Sequence, residues 1–277
     1  MPLNGNGWTP KNVTRFIQSF GTAARTAVVD TDLGEGYIKA LGNPEGPHIL
    51  ACELVGSLLA DWLGLPTLDF ALIEVTPDDE IPLLNGGNAR VGPAFISRAE
   101  RTGLPWGGSV GELASVHNRL DISGLVVLDT WILNCDRYAP HGQRVNLDNV
   151  FLVQYSGSKR KALLKAIDFT HAFTCGREIN RRIAFIENVR DEQLYGFFPV
   201  FQDFVERAEI SRFAARLTEF TADVASAFIS LVPQEWDISS DARSAWAAMI
   251  TQRAQFVAET VEMRIWPQQQ FNEGGTA

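Results

Sequence analysis

Residues 122–155 read ISGLVVLDTWILNCDRYAPHGQRVNLDNVFLVQY. The first part is apolar on nearly every side, which predicts a buried helix over residues 121–135. It runs into Asp136. A polar loop follows, and then a strand-like run, NVFLVQY, that begins at Asn149. The turn-forming SGSK joins that run to a second one, KALLKAIDF, so the two read as a hairpin whose far strand ends at Asp168. Three polar residues, Asp136, Asn149 and Asp168, thus bound apolar elements. Taken singly, Asp136 also fits a helix end and Asp168 a turn.

Upstream of this stretch the texture differs. TRFIQSF, RTAVVD, GYIKAL, LDFALIEV and VGPAFISRA are short, rich in β-branched and aromatic residues, and bounded by Gly, Asp, Asn and Pro, as strands are. One helix interrupts them from His48 to Leu63, with Ile49, Leu50, Leu54, Leu58, Leu59 and Trp62 at three- and four-residue steps, and Gly64 and Pro66 stop it. Downstream, amphipathic helices are expected over about 178–190, 192–206, 208–231 and 240–265, before a polar tail, QQQFNEGGTA. The predicted class is α+β: a β-rich N-terminal lobe with one helix (residues 1–100), then an α-helical C-terminal lobe (residues 101–277).

Composition narrows the functions open to such a chain. Its 277 residues suit one large domain or two packed lobes. With 24 basic and 33 acidic side chains, a net charge of −9 and no dense Lys/Arg run, no nucleic-acid partner is expected. The longest apolar stretch is too short to span a bilayer and carries Asp129, so no membrane insertion is expected. Cys52, Cys135 and Cys175 form no CxxC pair, and their odd number points to reduced thiols. With no signal-peptide core in MPLNGNGWTP, a cytoplasmic location is expected. His48, His117, His141 and His171 form no HExxH, and there is no GxSxG, GxxxxGK[ST] or GxGxxG motif.

The remaining polar residues match the parts list of phosphoryl transfer: a cation for the phosphates, a carboxylate to orient it, oxygen ligands for a divalent metal and a base beside the attacking hydroxyl. Lys39 sits among apolar neighbours in GYIKAL, and a buried ammonium needs an anion. Glu53, in the middle of the first helix, would supply it. A solvated lysine and a surface glutamate are the plainer alternative for each taken alone. FGTAART could bring backbone N–H groups to a phosphate, with Gly21 its single glycine; an ordinary hairpin turn fits it as well.

On GYIKAL, HILACELVGSLLADWLGLPT, NCDR…NLDNVFLV, AIDF and the late VPQEWDI, the chain resembles the HipA-like kinases, nearest their compact stand-alone bacterial branch, over about residues 20–265. The resemblance implies a bilobal protein-kinase-like fold with an ATP and Mg²⁺ site between the lobes. It assigns Lys39 to the phosphates and Glu53 as its partner, Asp136 as catalytic base, and Asn149 and Asp168 as metal ligands. In AFISRAE, the backbone from Ser97 to Ala99 would meet the adenine. The implied activity is transfer of the γ-phosphate of Mg-ATP to a hydroxyl, a protein serine or threonine being the expected acceptor. Transfer of AMP is a further option, and the alternative is a catalytically weak kinase-like module that binds nucleotide or acts as a scaffold. The sequence also departs from the pattern. Kinase loops place the Asn about five residues after the Asp, whereas residues 137–148 separate the two here. That leaves Asp148 as a rival for the catalytic role. The third motif reads DFT rather than DFG.

Overall fold

Alternating burial along the N-terminal segments produces strands, and their pleat sorts the side chains. The computed structural model describes residues 7–84, 87–155 and 162–267; the expected SGSK turn and the polar tail lie outside them. The chain runs β1 (Val13–Ser19), β2 (Ala27–Thr31), β3 (Gly34–Lys39), α1 (His48–Leu63), β4 (Phe70–Val75), β5 (Pro82–Leu83), β6 (Gly87–Asn88), β7 (Gly92–Arg98) and β8 (Gly103–Pro105). It continues through α2 (Val110–Ala114), α3 (Asp121–Trp131), β9 (Val150–Gln154), β10 (Ala162–Ala166), α4 (Ile186–Val189), α5 (Arg207–Thr218), α6 (Ala222–Ser230) and α7 (Ser240–Ile265).

A five-stranded antiparallel sheet of order β1-β2-β3-β7-β4 forms the N-terminal lobe. Successive side chains of a strand face opposite sides. Ile38 therefore joins Val29, Ile73 and Ile96 under Trp8 on one face. Lys39 is left on the other face, where Phe70 and Phe95 stack 5.8 Å apart against the main core. α1 packs there. It is more buried than a single apolar face predicts: His48 through Ala60 are all inside, because the helix lies between the sheet and α3, α5 and α6. It stops at Gly64 in the left-handed conformation, whose N–H closes on Ala60 and Asp61.

α3 ends at Trp131 rather than near residue 135; the chain then turns through Leu133 at φ 54°. β9 and β10 pair as the expected hairpin, with β8 added on the far side of β9. Two of the expected helices do not form. Residues 178–190 make a 3₁₀ turn at Arg181–Ala184 and the single turn α4, and residues 192–206 hold only a 3₁₀ turn at Pro199–Asp203. Their apolar residues pack into the core from turns. The expected 208–231 helix breaks in two where the Thr221 side chain caps α6. The fold is thus α+β and bilobal, with a β-sheet N-terminal lobe and a helical C-terminal lobe.

The cysteine expectation is corrected. Cys135 and Cys175 are joined as a disulfide with Cα atoms 5.7 Å apart, and only Cys52 is a buried free thiol. The odd count misled because one thiol is left over once the other two have paired. Among the described residues, no helix is long and apolar enough to cross a membrane.

Candidate functional site

Lys39 ends β3 on the face that meets α1, and Glu53 lies one turn and a half into that helix. The two meet: Lys39 Nζ donates to Glu53 Oε2 at 2.9 Å, with both side chains almost wholly buried. The same ammonium reaches Asp168 Oδ1 at 3.1 Å, across the interval between the lobes. Glu53 Oε2 also accepts the backbone N–H of Phe169 at 2.8 Å, and Thr170 donates to Asp168 Oδ1 at 2.8 Å. One cation therefore serves two carboxylates. Burial opposes charge on Lys39, but Asp168 and Glu53 outweigh it and hold the ammonium above its ordinary value. Burial likewise opposes charge on Asp168, yet Lys39, Thr170 and His171 hold its carboxyl down at about 2. Glu53 is the loser of the competition. Burial pushes it up, Asp168 adds to the rise, and Lys39 only partly offsets them.

Asp168 sits at φ 58°, in the left-handed region, just past the end of β10. A non-glycine residue there must be held by its surroundings. The holding groups are Lys39, Thr170 and the Phe169 N–H just described.

Asp136 follows the end of α3 by a short turn and is 4% exposed. Its Oδ2 accepts from Asn149 Nδ2 at 2.8 Å and from Asn146 Nδ2 at 3.4 Å. The twelve residues between Asp136 and Asn149 do not part them, because the loop closes on itself and returns. Asp148, the rival, is exposed beside Asn149. Beneath the pair lies a buried network. Asp129 of α3 accepts from Arg137 Nε at 2.7 Å and from Asn134 Nδ2 at 2.9 Å, and Asn134 Oδ1 receives the Asp136 N–H at 3.3 Å. Arg137 then donates to the carbonyl of Ile167 at 2.9 Å, one residue before Asp168. A single buried ion pair thus fixes the backbone on both sides of the site.

These residues converge on one cavity of about 610 Å³. Gly21, Lys39, Glu53, Ser97, Asp136, Asn149 and Asp168 all line it. Ala99 does not, and its N–H donates to the carbonyl of Glu35 at 2.9 Å. Leu68, Tyr37, Phe151 and Ile167 make an apolar wall. The β1–β2 loop, from Phe20 to Ala24, forms a cover and is folded by Thr22, whose side chain accepts the Thr26 N–H at 3.0 Å.

Sequence reading did not single out Arg144, Asn146, Thr170 or His171, which also line the cavity. His171 lies 3.3 Å from Glu45 and 3.9 Å from Asp136. Arg144 and Asn146 lie in a polar loop with no apolar setting to mark them, whereas Thr170 and His171 lie between Phe169 and Ala172-Phe173, an apolar setting that could have marked them. Asp129 had such a mark, a charge inside an apolar run that needs a buried partner, and Arg137 is that partner.

The donor set suits a hard cation. Both donors to Asp168 fall on Oδ1, and Asn149 spends its amide nitrogen on Asp136; Asp168 Oδ2 and the Asn149 amide oxygen are the oxygens available to a metal. Among the described residues, no group of three or more His, Cys, Asp or Glu side chains is arranged to hold a metal by itself. Such a cation would therefore take its remaining ligands from phosphate and water.

The profile of a family described as HipA-like kinase matches residues 31–268. No curated protein matches the chain. Among solved structures, the Helicobacter pylori proinflammatory kinase CtkA is similar at a TM-score of 0.58 and 10% identity, over 93% of this chain and 98% of that one. A Golgi casein kinase is similar at a TM-score of 0.45 and 11% identity, over 94% and 72%. At such identity the first likeness speaks for the fold.

Proposed function

The chain belongs to the HipA-like kinase family, and from that premise we propose that it transfers the γ-phosphate of ATP to a hydroxyl, with a protein serine or threonine as the acceptor. The observation that carries the reading is the Lys39–Glu53–Asp168 ion cluster, which lines the same cavity as Asp136 and Asn149. A lysine held permanently charged by two carboxylates is a fixed electrostatic anchor for a polyphosphate. The apolar wall of Leu68, Tyr37, Phe151 and Ile167 suits a purine, with Ser97 at its edge.

In this reading the acceptor hydroxyl attacks the γ-phosphorus while the bond to the β,γ-bridging oxygen breaks, and that oxygen leaves on ADP. Asp136 takes the hydroxyl proton on a carboxylate oxygen, and Asn149 keeps the carboxylate turned toward the cavity. Asp168 and Asn149 would hold Mg²⁺, which supplies neutralisation of phosphate charge. Lys39 orients the phosphates, and Glu53 and the Phe169 N–H keep Lys39 from swinging away. The division between lobes is proposed at residue 100: the large sheet ends at Arg98, and Gly103 already pairs with β9 of the second lobe.

Labelled Mg-ATP should give phosphorylated protein and ADP. Asp136→Ala and Asp168→Ala should each lower the rate by about 10²–10⁴-fold while remaining folded. Mass spectrometry of the product separates an added phosphate from an added AMP. Folded wild-type protein that modifies neither itself nor any protein, lipid or metabolite hydroxyl would end the kinase reading.

A further inference from the structure

The residues between Asp136 and Asn149 form a folded device. Tyr138 bridges Val145, Ala139 N–H donates to the carbonyl of Arg144 at 2.9 Å, and Asn146 N–H donates to the carbonyl of Arg137 at 3.0 Å. The base of this loop is fixed to the helical lobe, since Gly196 N–H donates to the Tyr138 carbonyl and the Tyr138 ring lies 4.9 Å from Phe198. Its return limb presents Arg144 to the cavity.

There the guanidinium lies 2.6 Å from Asp136 Oδ1. The contact is an ion pair without hydrogen-bond alignment, for Oδ1 is buried and has no directed donor. The Arg144 side chain is 49% exposed and the Asp136 side chain 6%. Asp136 is thus enclosed on both oxygens, by Asn149 and Asn146 on Oδ2 and by Arg144 on Oδ1. A base must have an oxygen open to its proton donor. Of the three groups, Arg144 is the one on an exposed, flexible stem, and its contact is the least directional.

Charge says where it goes. The cavity is lined by Glu53, Asp136, Asp148 and Asp168 against Lys39 and Arg144, and Lys39 is already committed to two carboxylates. A terminal phosphate entering this cavity meets one cation that is held by a single carboxylate and half exposed, Arg144. A guanidinium is also shaped to grip two phosphate oxygens at once. We propose that Arg144 is a mobile phosphate-reading residue: it caps Asp136 in the empty site and transfers to non-bridging oxygens of the γ-phosphate when ATP enters. The base is uncovered only when a transferable phosphate is present. The proposal rests on the kinase reading above.

The test compares the binding of a non-hydrolysable Mg-ATP analogue with that of Mg-ADP by calorimetry, for wild type, Arg144→Gln and Arg144→Lys. Wild type should favour the triphosphate. Arg144→Gln should lose about ten- to a hundredfold of that preference, the worth of a charge-assisted hydrogen bond, with ADP affinity little changed. Arg144→Lys should restore part of it, and guanidinium ion should partly rescue phosphoryl transfer by Arg144→Gln. An unchanged triphosphate preference in Arg144→Gln overturns the inference alone. So does equal loss of both nucleotides, or faster transfer at unchanged preference, which would make Arg144 a plain blocker. Wild type that binds neither nucleotide overturns the kinase reading and this inference with it.

Discussion

At Asp168 two opposed effects meet, and their balance is measurable. Burial alone would raise its carboxyl, yet Lys39, Thr170 and His171 hold it at about 2. A group whose folded value is depressed contributes stability above its unfolded value and loses it as pH falls through the folded one. The Asp168 contribution is therefore complete above about pH 4 and gone near pH 2, on the order of 2 kcal/mol in all. Glu53 acts in the opposite sense, since its raised value makes ionisation costly in the fold. The clean comparison is wild type against Asp168→Asn by urea denaturation from pH 5 to pH 2.5. The stability gap should narrow by more than half across that range; a constant gap would show that Asp168 is not held down by its neighbours. The same chemistry explains what could be read from the sequence. Lys39 and Glu53 betrayed themselves as charges inside apolar runs, and Asp136 and Asp168 as acids at the ends of buried elements. Arg144 sits in a polar stretch and gave no such sign, because its role arises from where a loop returns. Ala99 lies off the cavity lining, and its N–H is paired with the carbonyl of Glu35.

At the scale of elements, packing decided where periodicity was right. α1 and α7 begin and end where the apolar pattern does, since Gly64 stops one and Ser239 caps the other. Residues 178–206 carry apolar residues at helical spacing, but Asn180 turns the chain, Gly196 takes a positive φ, and Pro199 restricts its own φ. The apolar side chains reach the core without a helix. α1 matters beyond its own stability, because its Gly56 lets Phe169 of the Asp168 segment lie directly on the helix. A Cβ at Gly56 would come 2.6 Å from Phe169 Cγ and closer still to its Cβ. Gly56→Ala should therefore push α1 away from the Asp168 segment. Overpacking of this kind costs about 1–3 kcal/mol, against about 1 kcal/mol gained in helix propensity. The larger effect should fall on phosphoryl transfer, since the displacement separates Glu53 from Lys39 and from the Phe169 N–H. Gly111→Ala in α2, where a Cβ meets nothing within 4 Å, is the control and should be neutral or stabilising. Equal behaviour of the two variants in denaturation and in turnover would remove the steric account.

At the scale of the whole molecule, the cavity is a joint. Its cover and anchor lysine come from the sheet lobe, and Asp136, Asn149 and Asp168 come from the helical lobe. The order of the motifs made this arrangement legible, since a strand lysine, a helix glutamate and three later polar residues can converge only if two lobes face each other. What the order did not disclose was the disulfide between Cys135 and Cys175, which ties the residue before Asp136 to the segment after Asp168. A ligand that touches both lobes stabilises the folded chain by mass action. At a hundred times its Kd the gain is about 2.7 kcal/mol, which for a chain of this length raises Tm by roughly 5–10 °C. Mg-ATP should produce that rise in wild type, and Lys39→Met should abolish most of it, because the phosphate anchor is gone while the apolar wall remains. A rise without turnover would favour the nucleotide-binding module over the kinase. No rise at millimolar Mg-ATP would count against both, and the cavity would then need a ligand of another class to explain a lysine kept charged by the buried Glu53 and the partly exposed Asp168.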